Sequence, residues 1–386
     1  MPDSTKGETN IISGYGEMPG DYYFFCLSYS NVPAILSVVD GLDAGGVSIH
    51  IIVHMESHRL FWEELVKSKN LNWEVISIDT GAPERLYNPV SWFRVRRSIR
   101  QTYRGYFQAL HGAQIYFFSL IPPLPVLTLI KRLAGKSSIY FLDCDKRVFP
   151  EWHSVKNEVY RILVRLLYAV KVNMVRVADG AAPMLSRDFL NSAGVSELNG
   201  QHFYNPEVLR RYDFITGERD EIIRLVLLDD DCFIYEIPAS GVAYGVVSNT
   251  KKIIDANFQK SEVIFKRHPN PAFHTRQFGA IYEGYSEYPY YVPADFMFLN
   301  TDIKFVVGGF STTLAIASKR FGVRAVSYLK LVTLRDEAFK EQMVDILKTE
   351  SDDKIAFPES WEELGLLLSP SPEKTLPVAA STDMGE

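Results

Sequence analysis

Short apolar runs alternate with amphipathic stretches along almost the whole chain. In the first half, runs that fit buried strands occupy residues 22–28, 48–54, 73–78, 114–119, 138–143 and 172–177. Segments with helical periodicity lie between or beside them, at residues 31–42, 57–69, 124–134 and 155–170. Strands that alternate with helices in this way predict an α/β fold whose sheets are mainly parallel.

The second half repeats the alternation after a stretch of weaker periodicity, residues 180–222. Its predicted strands and helices are residues 232–237, 242–257, 262–266, 303–307, 312–321 and 325–329. We therefore expect a flexible N-terminus (1–20), two Rossmann-like domains (21–190 and 191–365) and a disordered tail (366–386). Two such domains would face a cleft, and ligands of open α/β sheets bind beyond the carboxyl ends of the strands.

Composition limits the class of protein. The chain has 386 residues, of which 47% are hydrophobic, and this is enough for two well-formed cores. Cys26, Cys144 and Cys232 show no paired spacing, which argues against a disulfide framework or a zinc site. The polar start of the chain predicts no signal peptide, and no apolar run is long enough to span a bilayer. We expect a cytoplasmic protein that does not bind nucleic acid.

Charge is spread unevenly. The net charge is −6, yet residues 91–180 carry fifteen Lys/Arg against five Asp/Glu. Within them, Arg94, Arg97, Arg100 and Arg104 have helix-like spacing, and residues 155–170 form a second basic, apolar helix candidate. Ordinary surface helices would explain this pattern. The alternative is peripheral contact with an anionic membrane surface or with a phosphorylated glycolipid.

One predicted strand, residues 303–307, runs into Gly-Gly-Phe-Ser-Thr-Thr and then a helix. The glycines allow a tight turn and a close backbone approach. Ser311, Thr312 and Thr313 stand at the helix N-terminus, where free N–H groups and hydroxyls favour an anion. Plain capping needs only one of the three, so the pattern predicts a phosphate-binding loop. No Walker lysine and no Gly-x-Gly-x-x-Gly pattern accompanies it.

A second strand, residues 262–266, ends in Lys-Arg-His-Pro. A proline ends a strand, and a solvated strand-to-loop junction would explain the charges. In a parallel sheet, however, this end and the glycine-rich end open on the same edge. A protonated His268 could there give a proton to a departing phosphate oxygen.

The two motifs together are moderately specific. E-V-I-F-K-R-H-P (262–269) and V-V-G-G-F-S-T-T-L (306–314) resemble the His-Pro and Ser/Thr signatures of bacterial sialyltransferases of the marine and Pasteurella type. Y-V-P-A-D-F-M-F (291–298) matches the place of the family's ribose-binding acid, Asp295 here. The resemblance is weak but nearly collinear from about residue 20 to 365, and it implies two Rossmann-like domains facing a cleft, the GT-B architecture.

The family's first signature is degenerate in this chain. Members have an Asp/Glu-Asp-Gly strand end, whereas the matching segment reads S-I-Y-F-L-D-C-D-K (138–146) and has no glycine. Either Asp143 or Asp145 could be the catalytic base, since residues two apart in an extended segment share a face. Both could instead be loop acids paired with Lys146 or Arg147.

The resemblance implies an inverting transfer from CMP-sialic acid to a glycan hydroxyl, as in lipooligosaccharide, capsule or a galactoside. Asp143 or Asp145 would be the base, and His268 would protonate the leaving phosphate, held by Thr312 and Thr313. Lys266 and Pro269 would contact the cytidine, and Asp295 the ribose. Neither a cofactor nor a metal would be needed. The alternatives are transfer from CMP-Kdo or another nucleotide sugar, and a non-catalytic nucleotide- or glycan-binding protein.

Overall fold

The computed structural model describes residues 20–42, 47–78, 93, 97, 110–119, 124–142, 151, 153–168, 170–177, 180–198, 204–215, 222–228, 242–269, 282–299, 302–334 and 337–369. The chain divides into two compact units. The first unit is Met1–Gly217 with Tyr291–Phe296, and the second is Glu218–Tyr290 with Met297–Glu386. The sequence pattern places the junction between residues 190 and 191, whereas this division leaves the elements up to residue 217 with the first unit.

Eight strands of the first unit are described: β1 (Asp21–Cys26), β2 (Ser48–Val53), β3 (Trp73–Ser77), β4 (Gln114–Phe117), β5 (Ser138–Leu142), β6 (Val172–Val177), β7 (Gly180–Leu185) and β8 (Ser196–Leu198). Six of them form a sheet in the order β3-β2-β1-β4-β5-β8, and every neighbouring pair is parallel. This is the strand order of a Rossmann fold. Central β1 begins with exposed Asp21 and then reads Y-Y-F-F-C, all buried, as expected for a strand covered on both faces.

Strands β6 and β7 stand apart from this sheet and pair antiparallel with each other. The sequence pattern predicts residues 172–177 as the strand that closes the first half. Only two residues separate β6 from β7, a length that suits a hairpin, whereas a parallel crossover needs a dozen or more. Strand β8 takes the edge position beside β5 instead.

The described helices between residues 20 and 217 are α1 (Val32–Leu42), α2 (Glu56–Ser68), α3 (Leu124–Leu133), α4 (Val155–Tyr168), α5 (Arg187–Ser192) and α6 (Pro206–Tyr212). Their apolar faces close the core. For example, Phe117 of β4 and Phe141 of β5 lie in one cluster with Leu127 and Ile130 of α3. These positions repeat at the strand period of two and the helix period of 3.6, which is why the pattern predicts most of them.

The second unit has a sheet of six strands: β9 (Leu225–Leu228), β10 (Val263–Lys266), β11 (Ser286–Tyr288), β12 (Phe305–Gly308), β13 (Arg324–Ser327) and β14 (Ile355–Ala356). Its order is β11-β10-β9-β12-β13-β14, and every pair is parallel. The remaining described helices are α7 (Val242–Asn257), α8 (Ala294–Met297), α9 (Thr312–Arg320), α10 (Glu337–Ser351) and α11 (Trp361–Leu368). Of these, α8 lies mostly in the segment Tyr291–Phe296 of the first unit.

The prediction of an α/β fold with two Rossmann-like domains is confirmed, because both sheets have the same parallel order. Central strand β9 is missing from the sequence-based prediction, which places a strand at residues 232–237 instead. Those residues lie outside the described part of the chain, as do the first 19 residues and those from 370 onward. No helix among the described residues is long and apolar enough to cross a bilayer.

Candidate functional site

The second sheet has its topological switch point between β9 and β12, where the strand order reverses. Strands β10 and β12 both pair with β9, so the two predicted motifs flank it. The register aligns Lys266 with Leu228, one row beyond the pairing of Leu227 with Val307. Lys266 and Gly308 therefore occupy one row at the carboxyl edge, roughly 10 Å apart across two strand spacings. Ligands of open α/β sheets bind at this position.

The loop after β12 leads directly into helix α9. Ser311 is the N-cap, its hydroxyl oxygen accepting from the backbone N–H of Thr313 at 3.3 Å. The hydroxyls of Thr312 and Thr313, half-buried in the first turn, make no hydrogen bond within the described residues. One hydroxyl of the three thus caps the helix, and two are left over at its positive end.

A serine on the neighbouring strand fixes this loop. Ser327 ends β13 and is fully buried, and its hydroxyl donates to the carbonyl of Gly309. The same oxygen accepts from the backbone N–H of Leu329 at 3.3 Å. The sequence-based prediction did not include Ser327. The only signal was a small polar residue at the end of an apolar strand, next to the glycine-rich strand in the sheet order.

Lys266, at the end of β10, is buried to 5% exposure. Its Nζ donates to the carbonyls of Arg267 and Tyr290, at 3.0 and 2.9 Å. Burial lowers the pKa of Lys266 to about 7, against a weaker opposing effect of Glu287. The Lys266 amino group thus fixes the backbone at Tyr290, after which the chain enters the segment Tyr291–Phe296 of the first unit.

The next three residues leave the sheet. Arg267 turns towards β11, where its Nε lies 3.1 Å from a carboxylate oxygen of Glu287, and its guanidinium lies 5.7 Å from the ring centre of Phe265. His268 and Pro269 follow beyond the strand end and are half-buried. The structure therefore brings His268 and Pro269 to the edge that also carries Ser311, Thr312 and Thr313.

Asp295, Asp143 and Asp145 are the other predicted site residues. Asp295 is 4% exposed in the short helix α8, and the segment that contains it belongs to the first unit. Phe296, next to it, packs against Phe61 of α2 with ring centres 5.7 Å apart. Asp143 and Asp145 follow β5 in the sequence and lie outside the described residues.

The first sheet carries a buried polar cluster at its own carboxyl edge. Cys26 ends β1, and the influence of its backbone partly offsets the lowering of the pKa values of His54 and His58. The ring of Tyr29 meets His58 edge-on at 4.4 Å, and the two imidazoles lie 5.5 Å apart. Burial lowers the pKa of His54 to about 4 and that of His58 to about 3, with His54 adding to the second shift. Both imidazoles are therefore neutral at physiological pH.

Within the described residues, no group of three or more His, Cys, Asp and Glu side chains is arranged to hold a metal ion.

No protein-family model matches the sequence, and no curated protein matches it.

Several solved structures align with most of the chain. The UDP-N-acetylglucosamine 2-epimerase of Rickettsia bellii is 12% identical, with 91% of this chain and 94% of that chain covered and a TM-score of 0.43. The Neisseria meningitidis UDP-GlcNAc 2-epimerase bound to UDP-GlcNAc is 9% identical, covering 90% and 89%, also at 0.43. Arabidopsis thaliana UGT89C1 complexed with UDP-L-rhamnose is 9% identical, covering 93% and 91%, at 0.42.

Proposed function

We propose that this chain is an inverting sialyltransferase that uses CMP-sialic acid as donor and a glycan hydroxyl as acceptor. The observation that carries the proposal is the placement of two motifs at one carboxyl edge, on either side of central strand β9. The sequence resemblance supplies the chemistry, and the sheet register supports a common site for Lys266-Arg267-His268-Pro269 and the Ser311-Thr312-Thr313 turn.

The leaving group of such a donor is CMP, whose phosphate gains negative charge as the bond to the sugar breaks. The N-terminus of α9 and the hydroxyls of Thr312 and Thr313 would stabilise this charge. His268 would give its proton to the phosphate oxygen that leaves the sugar. Lys266 and Pro269 would contact the cytidine, and Asp295 would bind the ribose.

The acceptor hydroxyl would lose its proton to Asp143 or Asp145 as its oxygen bonds to the anomeric carbon. The bond from this carbon to the phosphate oxygen breaks in the same step, so the configuration inverts. In this scheme the charges are managed by a histidine, hydroxyls and a helix end, and no step is assigned to a metal ion or cofactor.

The test is donor turnover by the full-length protein, followed as CMP release with galactoside, sialoside and glycolipid acceptors. The donor panel should contain CMP-sialic acid, CMP-Kdo and a UDP-sugar. We expect turnover of CMP-sialic acid, and we expect His268→Ala to lower kcat by at least about 100-fold, the low end for a general acid. His111→Ala, at an exposed histidine in the first unit, is the matched control.

A parallel measurement of CMP binding separates binding from catalysis. Thr312→Val and Thr313→Val each remove a hydroxyl with little change in shape, and we expect both to weaken CMP binding. Turnover of CMP-Kdo alone would exclude CMP-sialic acid as the donor but would still support the proposed phosphate site, which both donors would share. CMP binding without turnover of any donor would show a non-catalytic binding protein, and unchanged turnover in His268→Ala would remove this histidine from the mechanism.

A further inference from the structure

Helix α4 of the first unit has apolar residues on two opposite sides. One side faces inward, where Tyr160 and Val164 are buried in the core cluster beside Phe189 of α5. On the other side stand Val155, Val159, Ile162 and Leu166, spaced by four, three and four residues, which places them in one line along the helix. We call these four residues the outer stripe.

The outer stripe is open to solvent. Val155 is 83% exposed and Leu166 74%, while Ile162 and Val159 are 52% and 44% exposed. Single exposed aliphatic side chains are common on protein surfaces, but four aligned ones form a continuous apolar line that marks a contact surface. They account for four of the seven large hydrophobic side chains that are exposed among the described residues.

Cations border the outer stripe. Lys156 lies on one side of it, and Arg161 and Arg165 lie on the other, all three exposed. The helix has a single acid, Glu158, which forms an ion pair with Arg161 at 2.6 Å. This basic surface belongs to a protein whose net charge is −6. An apolar line between cations on an amphipathic helix is the arrangement that binds at the interface of an anionic bilayer.

We propose that the protein docks on an anionic membrane surface through helix α4, with the outer stripe among the acyl chains and Lys156 and Arg165 against the headgroups. A bilayer needs no matching shape, so a narrow line of side chains is sufficient. A stable protein interface usually needs about 20–30 residues on each side, far more than this line supplies. The proposal does not depend on the nucleotide site. A glycolipid acceptor of the proposed transferase would lie in the membrane on which the protein docks.

Vesicle co-sedimentation of the full-length protein tests this proposal. The vesicles are phosphatidylcholine with or without phosphatidylserine, at low and at high salt. We expect binding to the phosphatidylserine vesicles, weakened by salt because the cations contribute. Leu166→Ser should lower the partition coefficient roughly tenfold, from the loss of one buried leucine side chain.

Leu366→Ser is the matched control, because Leu366 is 77% exposed on helix α11 of the second unit. It should bind as the unchanged protein does. Lys156→Ser with Arg165→Ser should weaken binding to the anionic vesicles only. Circular dichroism of each variant checks that the fold is retained, which is expected because the substituted side chains face solvent.

Three results would overturn the proposal. The first is no sedimentation of the unchanged protein with anionic vesicles. The second is equal binding by Leu166→Ser and Leu366→Ser. The third is a lipid-free dimer in analytical ultracentrifugation that Leu166→Ser converts to a monomer, because the outer stripe would then be an interface between two copies of the chain.

Discussion

Acid should destabilise the first unit through its two buried histidines. His58 is 2% exposed, and its pKa of about 3 lies far below the usual value near 6.5 of an unfolded chain. In the window between these values the unfolded state binds a proton that the folded state does not, so stability is complete above about pH 6.5 and falls as the pH falls. Protonation would also give Nδ1 a hydrogen that no acceptor meets within the described residues.

The magnitude follows from the two pKa values. At about pH 5 an unfolded imidazole is almost fully protonated, while His58 in the folded protein is not. The difference is about one and a half pH units, or about 2 kcal/mol relative to about pH 7.5. The stabilising contribution of His54, whose pKa is about 4, falls by a similar amount over the same pH interval. The pair should therefore cost the first unit up to about 4 kcal/mol, a large part of the stability of a typical domain.

Urea unfolding at the two pH values measures this loss. Four of the five tryptophans lie before residue 218, so a Trp361→Phe background confines the fluorescence signal to the first unit. Buried Trp62 and its neighbour Trp73, with ring centres 6.3 Å apart, should report the transition. We expect His58→Gln to remove about half of the pH dependence, because glutamine is polar and similar in size but does not titrate.

His153→Gln is the control, since the His153 side chain is 76% exposed beside Glu151. It should retain the pH dependence that comes from the two buried histidines. The decisive check is a direct titration of the histidine ring signals by NMR. If His54 and His58 titrate near 6.5 in the folded protein, or if the His58→Gln variant retains the full pH dependence, the reasoning fails.

Three further predictions concern the second unit. The unfolding free energy should rise with pH between about 7 and 10, because in this range Lys266 is protonated in the unfolded chain but not in the folded protein. In urea unfolding, Lys266→Met should lose this dependence on pH. An unchanged dependence would assign it to other groups. Ser327→Ala should remove the hydroxyl that donates to the Gly309 carbonyl and so weaken CMP binding several-fold in calorimetry. Ser318→Ala, at a buried serine whose hydroxyl donates to a carbonyl within α9, should cost similar stability but leave CMP affinity unchanged. Equal affinities in the two variants would contradict a positioning role for Ser327. Gly322→Ala should lower the unfolding free energy by about 1–2 kcal/mol, because the φ of Gly322 is +68°. Gly245→Ala should raise it by up to about 1 kcal/mol, because alanine favours the helix α7 and its Cβ would meet open space. Thermal unfolding of both variants checks the opposite signs.

Some residues of the candidate site can be recognised from their neighbours in the sequence, and others only from contacts between distant parts of the chain. The Lys266–Pro269 strand end and the Gly308–Thr313 turn are visible in the sequence because each is a local signal, a strand followed by a breaker or a cap. Ser327 is invisible there, because its contact with Gly309 spans eighteen residues and exists only once β12 and β13 are paired.

The sequence by itself determined the fold class and most of the elements, because burial on one or two faces imposes periods of 2 and 3.6 on the chain. It also indicated the motifs and their chemistry. Only the tertiary structure decided that Val172–Val177 pairs with Gly180–Leu185 in a hairpin and that Leu225–Leu228 is the central strand of the second sheet. It also decided that Lys266 and Gly308 lie in one row of that sheet. Strand order and register depend on contacts between residues far apart in the chain, and no local pattern of apolar positions encodes them.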